Sequence, residues 1–198
     1  MKKTILLSVM AAALPLVVGG CATPAHYIQT GGRESVVTVG QINIQDYIQA
    51  ANAATSDLLA SGTLDKVATP PAVLAISRIV NNTGQQIDTD LLTKKIRVAL
   101  LNSGKAQTTT TLGLGGTAED PMAKGLQQEN EFANAQKNTR KPDFTLSGKI
   151  IETTAKSGNT SQSTYSFQLS LTDAKTGLAV WEGEKEITKQ GTRSAVGF

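Results

Sequence analysis

The sequence predicts an α+β fold, in which a small antiparallel or mixed β-sheet carries helices packed on it. Three observations predict it: apolar residues at helical spacing from 44 to 59, a second helical segment after Asp88, and three alternating strands in the last third of the chain. Helices ahead of an antiparallel run of strands favour a layer of helices on one face of the sheet. The chain after residue 20 is long enough for one domain with a sizeable core.

Residues 1–20 are predicted to be a lipoprotein signal peptide. Lys2 and Lys3 precede an apolar run of about 15 residues that ends in small residues, an organisation typical of secretory signals. This run is shorter than the roughly 20 apolar residues that a membrane-spanning helix requires. We therefore expect the chain to be exported and the run to be removed.

Cys21 is the predicted lipidation site. It is the only cysteine, which excludes an intrachain disulfide, and a catalytic thiol could be paired only with His26. The sequence V-G-G-C resembles the bacterial lipobox, whose cysteine is acylated, with Val18 in place of the usual leucine. Ala22 replaces the aspartate that commonly retains such proteins in the inner membrane. This favours a lipid anchor in the outer membrane, facing the periplasm, because several acyl chains hold a protein stably.

Residues 21–40 are predicted to form a lipidated tether, because Pro24, Gly31 and Gly32 interrupt them and no helical period is present. Fully extended, they would reach at most about 70 Å. Beyond the signal, basic and acidic residues nearly balance: the whole chain has 19 Lys and Arg against 16 Asp and Glu, and without Lys2 and Lys3 the basic residues fall to 17. With 4% aromatic residues as well, nothing indicates a nucleic-acid partner.

Residues 41–198 are predicted to form the α+β domain. A first amphipathic helix ends at Ser61-Gly62, and the apolar segment AVLAISRIV is predicted to be a central strand buried on both faces. Asp88 is the predicted N-cap of a second helix that ends at Gly104, with Leu92, Ile96, Ala99 and Leu100 inward and Lys94, Lys95 and Arg97 outward.

The second half of the domain begins with a strand-forming segment, KAQTTTT, and a loop over residues 112–119. Asp120-Pro121 then opens a third helix, since proline is favoured at the first helical position. Three alternating strands follow, joined by the short loops SGNTSQ and DAKTG, and predict an antiparallel meander. Its apolar face holds Phe144, Leu146, Ile150, Tyr165, Phe167, Leu169 and Leu171.

The sequence indicates a protein that is not an enzyme and has no cofactor, metal or small-molecule substrate. Gly113, Gly115 and Ala118 match G-x-G-x-x-A, but the antiparallel strands that follow do not fit a dinucleotide-binding unit, so a loop is predicted. One histidine and one lipidated cysteine cannot supply a His/Cys metal site. A Ser/His/Asp set is not evident either, because His26 lies in the tether.

The polar loop after the first strand is the predicted partner-binding site. Asn81, Asn82 and Thr83 of this loop, together with Arg78 of the preceding strand, are assigned to partner binding, because polar loops on a rigid sheet commonly carry recognition. Trp181, the only tryptophan, has two interpretations: part of the sheet core, or an exposed anchor at a partner interface.

Three segments resemble the LpoB family of outer-membrane lipoprotein activators of penicillin-binding proteins. They are VLAISRIVNNTGQQIDTDLLTKKIRVALLNSGK at 73–105, PDFTLSGKI at 142–150 and LTDAKTGLAVWEGE at 171–184. Similarity also extends to the periplasmic domain of the curli secretion lipoprotein and to the N-terminal domain of TolB, whose α+β fold is the one expected.

The resemblance implies an activator that binds a bifunctional peptidoglycan synthase, a penicillin-binding protein, of the inner membrane. It implies stimulation of glycosyltransferase and transpeptidase activities through preference for the active synthase conformation. The best-known members carry a long Pro-rich tether, whereas here it is about 20 residues. The alternative function is a structural or assembly lipoprotein of the envelope, which the curli resemblance favours.

Overall fold

The structure, a computed structural model, describes residues 25–111, 120–133 and 140–192. The predicted signal peptide, Cys21 and the G-x-G-x-x-A segment lie outside these residues. Among the described residues, no helix is both long and apolar enough to cross a bilayer.

The described residues form helices and one five-stranded mixed sheet, which confirms the predicted α+β fold. The strand order is β2-β1-β3-β4-β5, with β1 parallel to both β2 and β3 and an antiparallel meander from β3 to β5. The elements are α1 (Ile44–Ala60), a 3-10 turn (Thr63–Lys66), β1 (Ala72–Asn82), α2 (Thr89–Asn102), β2 (Ala106–Thr108), α3 (Pro121–Ala133), β3 (Phe144–Ser157), β4 (Thr160–Asp173) and β5 (Ala179–Thr192).

α1 starts at a capping box and packs with α2 on one face of the sheet. Asn43 accepts a hydrogen bond from the backbone N–H of Asp46, and the Asp46 carboxylate accepts one from the backbone N–H of Asn43 at 2.8 Å. These reciprocal bonds satisfy two donors that a helix start would otherwise leave unpaired. The buried stripe that follows includes Tyr47, Ala51 and Leu58, as its helical spacing predicts.

α2 begins and ends where the sequence predicts. The Asp88 side chain accepts a bond from the backbone N–H of Asp90, and Gly104 has a φ of 70°, in the left-handed region. The prediction that Arg97 faces solvent is wrong, because it is only 7% exposed. Arg97 lies four and eight residues after Thr93 and Thr89, on the same side of the helix, and Thr89 is also buried. Burial lowers the pKa of its guanidinium.

β1 is buried on both faces only along its first four residues, Ala72 to Ala75, so the predicted fully buried strand is only half correct. A register shift follows between Ile76 and Ile79, where β1 pairs with β3. A β-bulge of this kind inserts an extra residue and changes which side chains face each side. Arg78, within this shift, and Val80 and Asn82, beyond it, are exposed on the side of the sheet away from α1 and α2.

The core lies between the sheet and the helices α1 and α2, and the predicted apolar face of the meander is buried there. One row of this face places Leu169 between Gly148 and Gly183. A methyl group on Gly148 would lie 2.6 Å from the Gln168 carbonyl oxygen and 2.5 Å from Leu169 Cδ2. Position 148 therefore requires glycine, because a larger residue would not fit against Gln168 and Leu169 of the neighbouring strand β4.

α3 is a helix that the fold does not bury. It begins at Pro121 as predicted, with the Asp120 side chain accepting a bond from the backbone N–H of Ala123 at 2.9 Å. None of its residues is buried. Met122, Leu126 and Phe132 are 77%, 56% and 91% exposed, which is unusual for the apolar side of an amphipathic helix.

Candidate partner-binding surface

The side of the sheet opposite α1 and α2 is exposed and forms a broad trough of about 790 Å³. We call this side the open face. Its side chains come from four neighbouring strands, β1, β3, β4 and β5, which hold them at fixed spacing. The residues that define it are Arg78, Val80, Asn82, Ser147, Lys149, Gln168, Ser170, Glu182 and Glu184.

Charge changes sign across the open face. Arg78 and Lys149 lie on β1 and β3, while Glu182 and Glu184 lie on β5, with polar side chains of β4 between them. Such a bipolar surface favours a partner with the opposite order of charges.

Hydrogen bonds from β4 hold Glu184 in its charged form. Gln168 Nε2 donates to Glu184 Oε1 at 2.7 Å, and the Ser166 hydroxyl donates to the same oxygen. These bonds, with a contribution from the charge of Lys149, lower the pKa of Glu184. Glu184 therefore keeps its charge to a lower pH than an unperturbed glutamate would.

The structure separates the four residues at the end of β1 and just after it that the sequence assigns to partner binding. Asn81 Nδ2 donates to the Gln85 carbonyl at 2.6 Å, while Asn81 Oδ1 accepts from the backbone N–H and hydroxyl of Thr83 at 3.0 and 2.7 Å. Asn81 and Thr83 thus hold the loop together. Arg78 and Asn82 instead point to solvent on the open face. Partner binding by these residues stays a prediction.

Trp181 lies on the core side of β5, at the edge of the sheet. It is half-buried and packs against the core cluster. A Cβ at Gly183 would lie 2.4 Å from the Trp181 ring, so the indole covers this glycine. This location agrees with the sheet-core interpretation, and a contact with a partner stays a prediction.

A buried polar cluster lies where the N-terminal segment enters the domain, and sequence reasoning missed it. Lys189 Nζ forms an ion pair with Asp46 and donates to the Gln41 carbonyl at 2.7 Å; both side chains are under 10% exposed. The ammonium also lies 5.7 Å from the centroid of the Tyr165 ring. We call Asp46, Lys189, Tyr165, Glu152 and Gln85 the junction cluster.

The junction cluster connects the N-terminal segment to the loop after β1. Gln85 Oε1 accepts a bond from the backbone N–H of Ile42 at 2.9 Å, and Gln85 Nε2 donates to the Tyr165 hydroxyl at 2.9 Å. That hydroxyl lies 3.2 Å from Glu152 Oε1. Burial is the main cause that raises the pKa of Tyr165. One sequence signal could have indicated that Lys189 faces the core: the alternation along β5 places it on the same side of the strand as the apolar Ile187.

The described part of the chain holds no group of three or more His, Cys, Asp and Glu residues that could ligate a metal ion. The polar groups of the junction cluster bind one another beneath the helices, and those of the open face spread over four strands.

Comparison with known proteins gives one family match, and no curated protein matches the sequence. The family model described as "Peptidoglycan-synthase activator LpoB" matches residues 46–187. Among solved structures, the LpoB C-terminal domain from Salmonella enterica is 18% identical, with 70% of this chain and 97% of that chain covered and a TM-score of 0.42. The NMR structure of Escherichia coli LpoB is 16% identical, with 91% of this chain and 88% of that chain covered and a TM-score of 0.42. Lipoprotein GNA1162 from Neisseria meningitidis is 17% identical, with 63% of this chain and 87% of that chain covered and a TM-score of 0.39.

Proposed function

Because the chain belongs to the LpoB family of peptidoglycan-synthase activators, we propose that it is a periplasmic lipoprotein, anchored in the outer membrane, that binds a bifunctional penicillin-binding protein and increases its activity. The observation that carries this proposal is the family match over residues 46–187, which extends from α1 into β5. The docking surface we propose is the open face, where Arg78 and Asn82 are exposed.

Activation by this chain would be allosteric. A protein that brings no catalytic group can raise a synthase's rate only by binding its active conformation more tightly than its idle one. Each tenfold preference shifts that equilibrium by about 1.4 kcal/mol. The rigid strands of the open face suit this role, because a fixed array of charges can distinguish two arrangements of a partner surface.

We expect the mature chain to begin at an acylated Cys21. Its tryptic peptide, residues 21–33, should carry a diacylglyceryl group and an N-linked acyl chain when the membrane fraction is analysed by mass spectrometry. Export of residues 22–198 behind a signal that is cleaved without lipidation should move the protein to the soluble periplasmic fraction, since the acyl chains supply its membrane affinity. An unmodified peptide 21–33 from the membrane fraction would contradict the anchor.

The direct test of the proposed function is an activity assay with purified synthase. Residues 22–198 are added to each bifunctional synthase of the source bacterium, and glycan polymerisation and peptide cross-linking are measured separately. We expect saturable acceleration of one synthase, with a half-maximal concentration equal to the Kd for binding. Saturable binding with no rate change would show docking without activation, and no binding to any synthase would reject the proposal.

A further inference from the structure

β5 leaves one edge of the sheet unpaired. It pairs with β4 on one side and is the last strand of the sheet on the other. Among the described residues, no backbone hydrogen bond joins Ala179–Thr192 to a segment other than β4. The strand at the opposite edge, β2, has only 3 residues, whereas β5 has 14. Because every second residue of an edge strand directs its N–H and C=O groups outward, β5 offers a long template for a further strand.

β5 lacks several features that commonly close an edge. Its register against β4 runs without interruption from Trp181 to Thr192, and the register shift lies near its start, opposite Leu171 and Thr172. The strand contains no proline. Bulges, proline and short length are common means of preventing strand addition, so β5 depends on its side chains to decide what can pair with it.

Those side chains oppose pairing with a second copy of the chain. Glu182, Glu184 and Glu186 alternate along the open-face side of β5, and we call them the acidic row. In an antiparallel pair of two β5 strands, opposed residues must lie on the same side of the sheet. In the two registers that pair almost the whole strand, either Glu184 opposes Glu186 or Glu186 opposes itself. Like charges directly opposite each other are destabilising, so a second copy fits this edge badly.

A basic strand would fit the acidic row. β4 holds two of its carboxylates in place, because Gln168 Nε2 donates to Glu184 Oε1 at 2.7 Å and the Ser170 hydroxyl donates to Glu182 Oε1 at 3.4 Å. Neither Oε2 accepts a hydrogen bond from a residue that the structure describes. Cations at alternate positions of an added strand would lie opposite these carboxylates, with Cβ atoms about 5 Å apart.

The other side of β5 selects apolar residues at the positions between those cations. Trp181 and Ile187 lie on the core side, pack against the core and remain half-exposed at the sheet edge. An added strand with apolar residues on this side would remove more of their apolar surface from water. Lys185 lies between them on the same side and disfavours a cation there. The matching segment therefore alternates basic with apolar residues.

We propose that the outer edge of β5 binds an extended segment of the synthase, in which lysine or arginine alternates with apolar residues, as a sixth strand of the sheet. Its cations face the acidic row, and its apolar residues cover Trp181 and Ile187. Main-chain hydrogen bonds give such a complex affinity, and the alternating side chains give it specificity. The added strand extends the open face past its acidic side. The edge site stands on the sheet alone, whereas its assignment to the synthase rests on the proposed function.

A synthetic peptide tests the edge site. The probe is a capped peptide in which four valines alternate with three lysines, long enough to span Trp181 to Ile187, and its matched control has the same residues in two blocks. We expect residues 22–198 to bind the alternating peptide about tenfold more tightly, because only this order places all three lysines on one side of a strand. Equal affinity for the two peptides would overturn the site.

Hydrogen exchange of backbone amides distinguishes strand addition from attraction between charges. With the alternating peptide bound, NMR should show slower exchange at every second residue of β5, because the outward N–H groups become bonded and the others already pair with β4. Binding of the peptide without slower exchange in β5 would overturn the added strand.

Reversal of charge tests the acidic row. Glu182→Lys with Glu186→Lys should weaken binding of the alternating peptide by about tenfold or more, since two cations then face its lysines. The control, Asp57→Lys with Glu129→Lys, makes the same change in net charge at two exposed helix positions and should change the Kd less than about threefold. Equal losses in both variants would overturn the acidic row as the recognition element.

The synthase is tested by hydrogen exchange of β5 in the complex. Its binding should slow exchange at the same alternate amides, and an excess of the alternating peptide should compete with it. Binding that leaves these amides unchanged would overturn the assignment of the strand to the synthase. No binding of any synthase would instead reject the proposed function, while the peptide result still decides the edge site.

Discussion

Replacing Lys189 with methionine is expected to lower the free energy of unfolding by about 3–5 kcal/mol. Lys189 and Asp46 form an ion pair with side chains only 7% and 4% exposed. Methionine removes the cation but keeps similar volume, so the Asp46 carboxylate would be buried with only its capping-box bond to Asn43. Urea denaturation of residues 22–198, followed by circular dichroism, measures the change.

An exposed ion pair supplies the matched control. Lys105 and Asp65 also form a pair, at 2.7 Å, but their side chains are 44% and 55% exposed. The same substitution, Lys105→Met, should therefore cost less than about 1 kcal/mol. Losses of similar size in the two variants would contradict the view that the buried pair holds the N-terminal segment to β5.

Reversing both cations of the open face, with Arg78→Glu and Lys149→Glu, is expected to weaken synthase binding by about tenfold to a hundredfold, or about 1.4–2.7 kcal/mol. Both residues are exposed on the open face, and together they form its basic side. A partner that presents acidic groups to this side would meet like charges instead, which disfavours docking strongly. Titration calorimetry at fixed ionic strength gives the Kd, and the polymerisation assay shows whether activation falls with it.

The control must separate local contacts from net charge. Lys94→Glu with Lys141→Glu makes the same change in net charge at two exposed positions away from the open face. We expect this pair to change the Kd less than about threefold, since isolated rim charges act mainly on association rate. An equal loss in both double variants would show that overall charge, and not the open face, controls binding.

Periodicity predicted most of the fold correctly because most of its elements have one buried side. The strict alternation of β4 favours a strand over a helix, and Asp88 and Gly104 mark the two ends of α2. Arg97 was placed outward because a charged residue usually faces solvent, whereas tertiary packing buries its stem. The junction cluster was missed for the same reason: burial of Lys189 depends on Asp46, 143 positions earlier in the chain.

The open face could be predicted only in part. Asn82 is in a segment that the sequence marks as polar and Arg78 is in the strand predicted to be buried, but the irregularity between Ile76 and Ile79 decides which side they face. No residue type in that interval, Ser77 included, requires a bulge, so the sequence alone does not predict one. The change of charge sign across the face also depends on the strand order, because β3 and β4 lie between β1 and β5 in the sheet.

The junction cluster determines how mechanical tension would enter the molecule. Gln41 is bonded to Lys189 on β5, and Ile42 is bonded to Gln85 in the loop after β1. A force applied to the chain before Val39 would therefore act on β5 and on the loop after β1 before it reached the first turn of α1. Tension on the N-terminal segment would then be resisted by the sheet, and the helix would keep its shape.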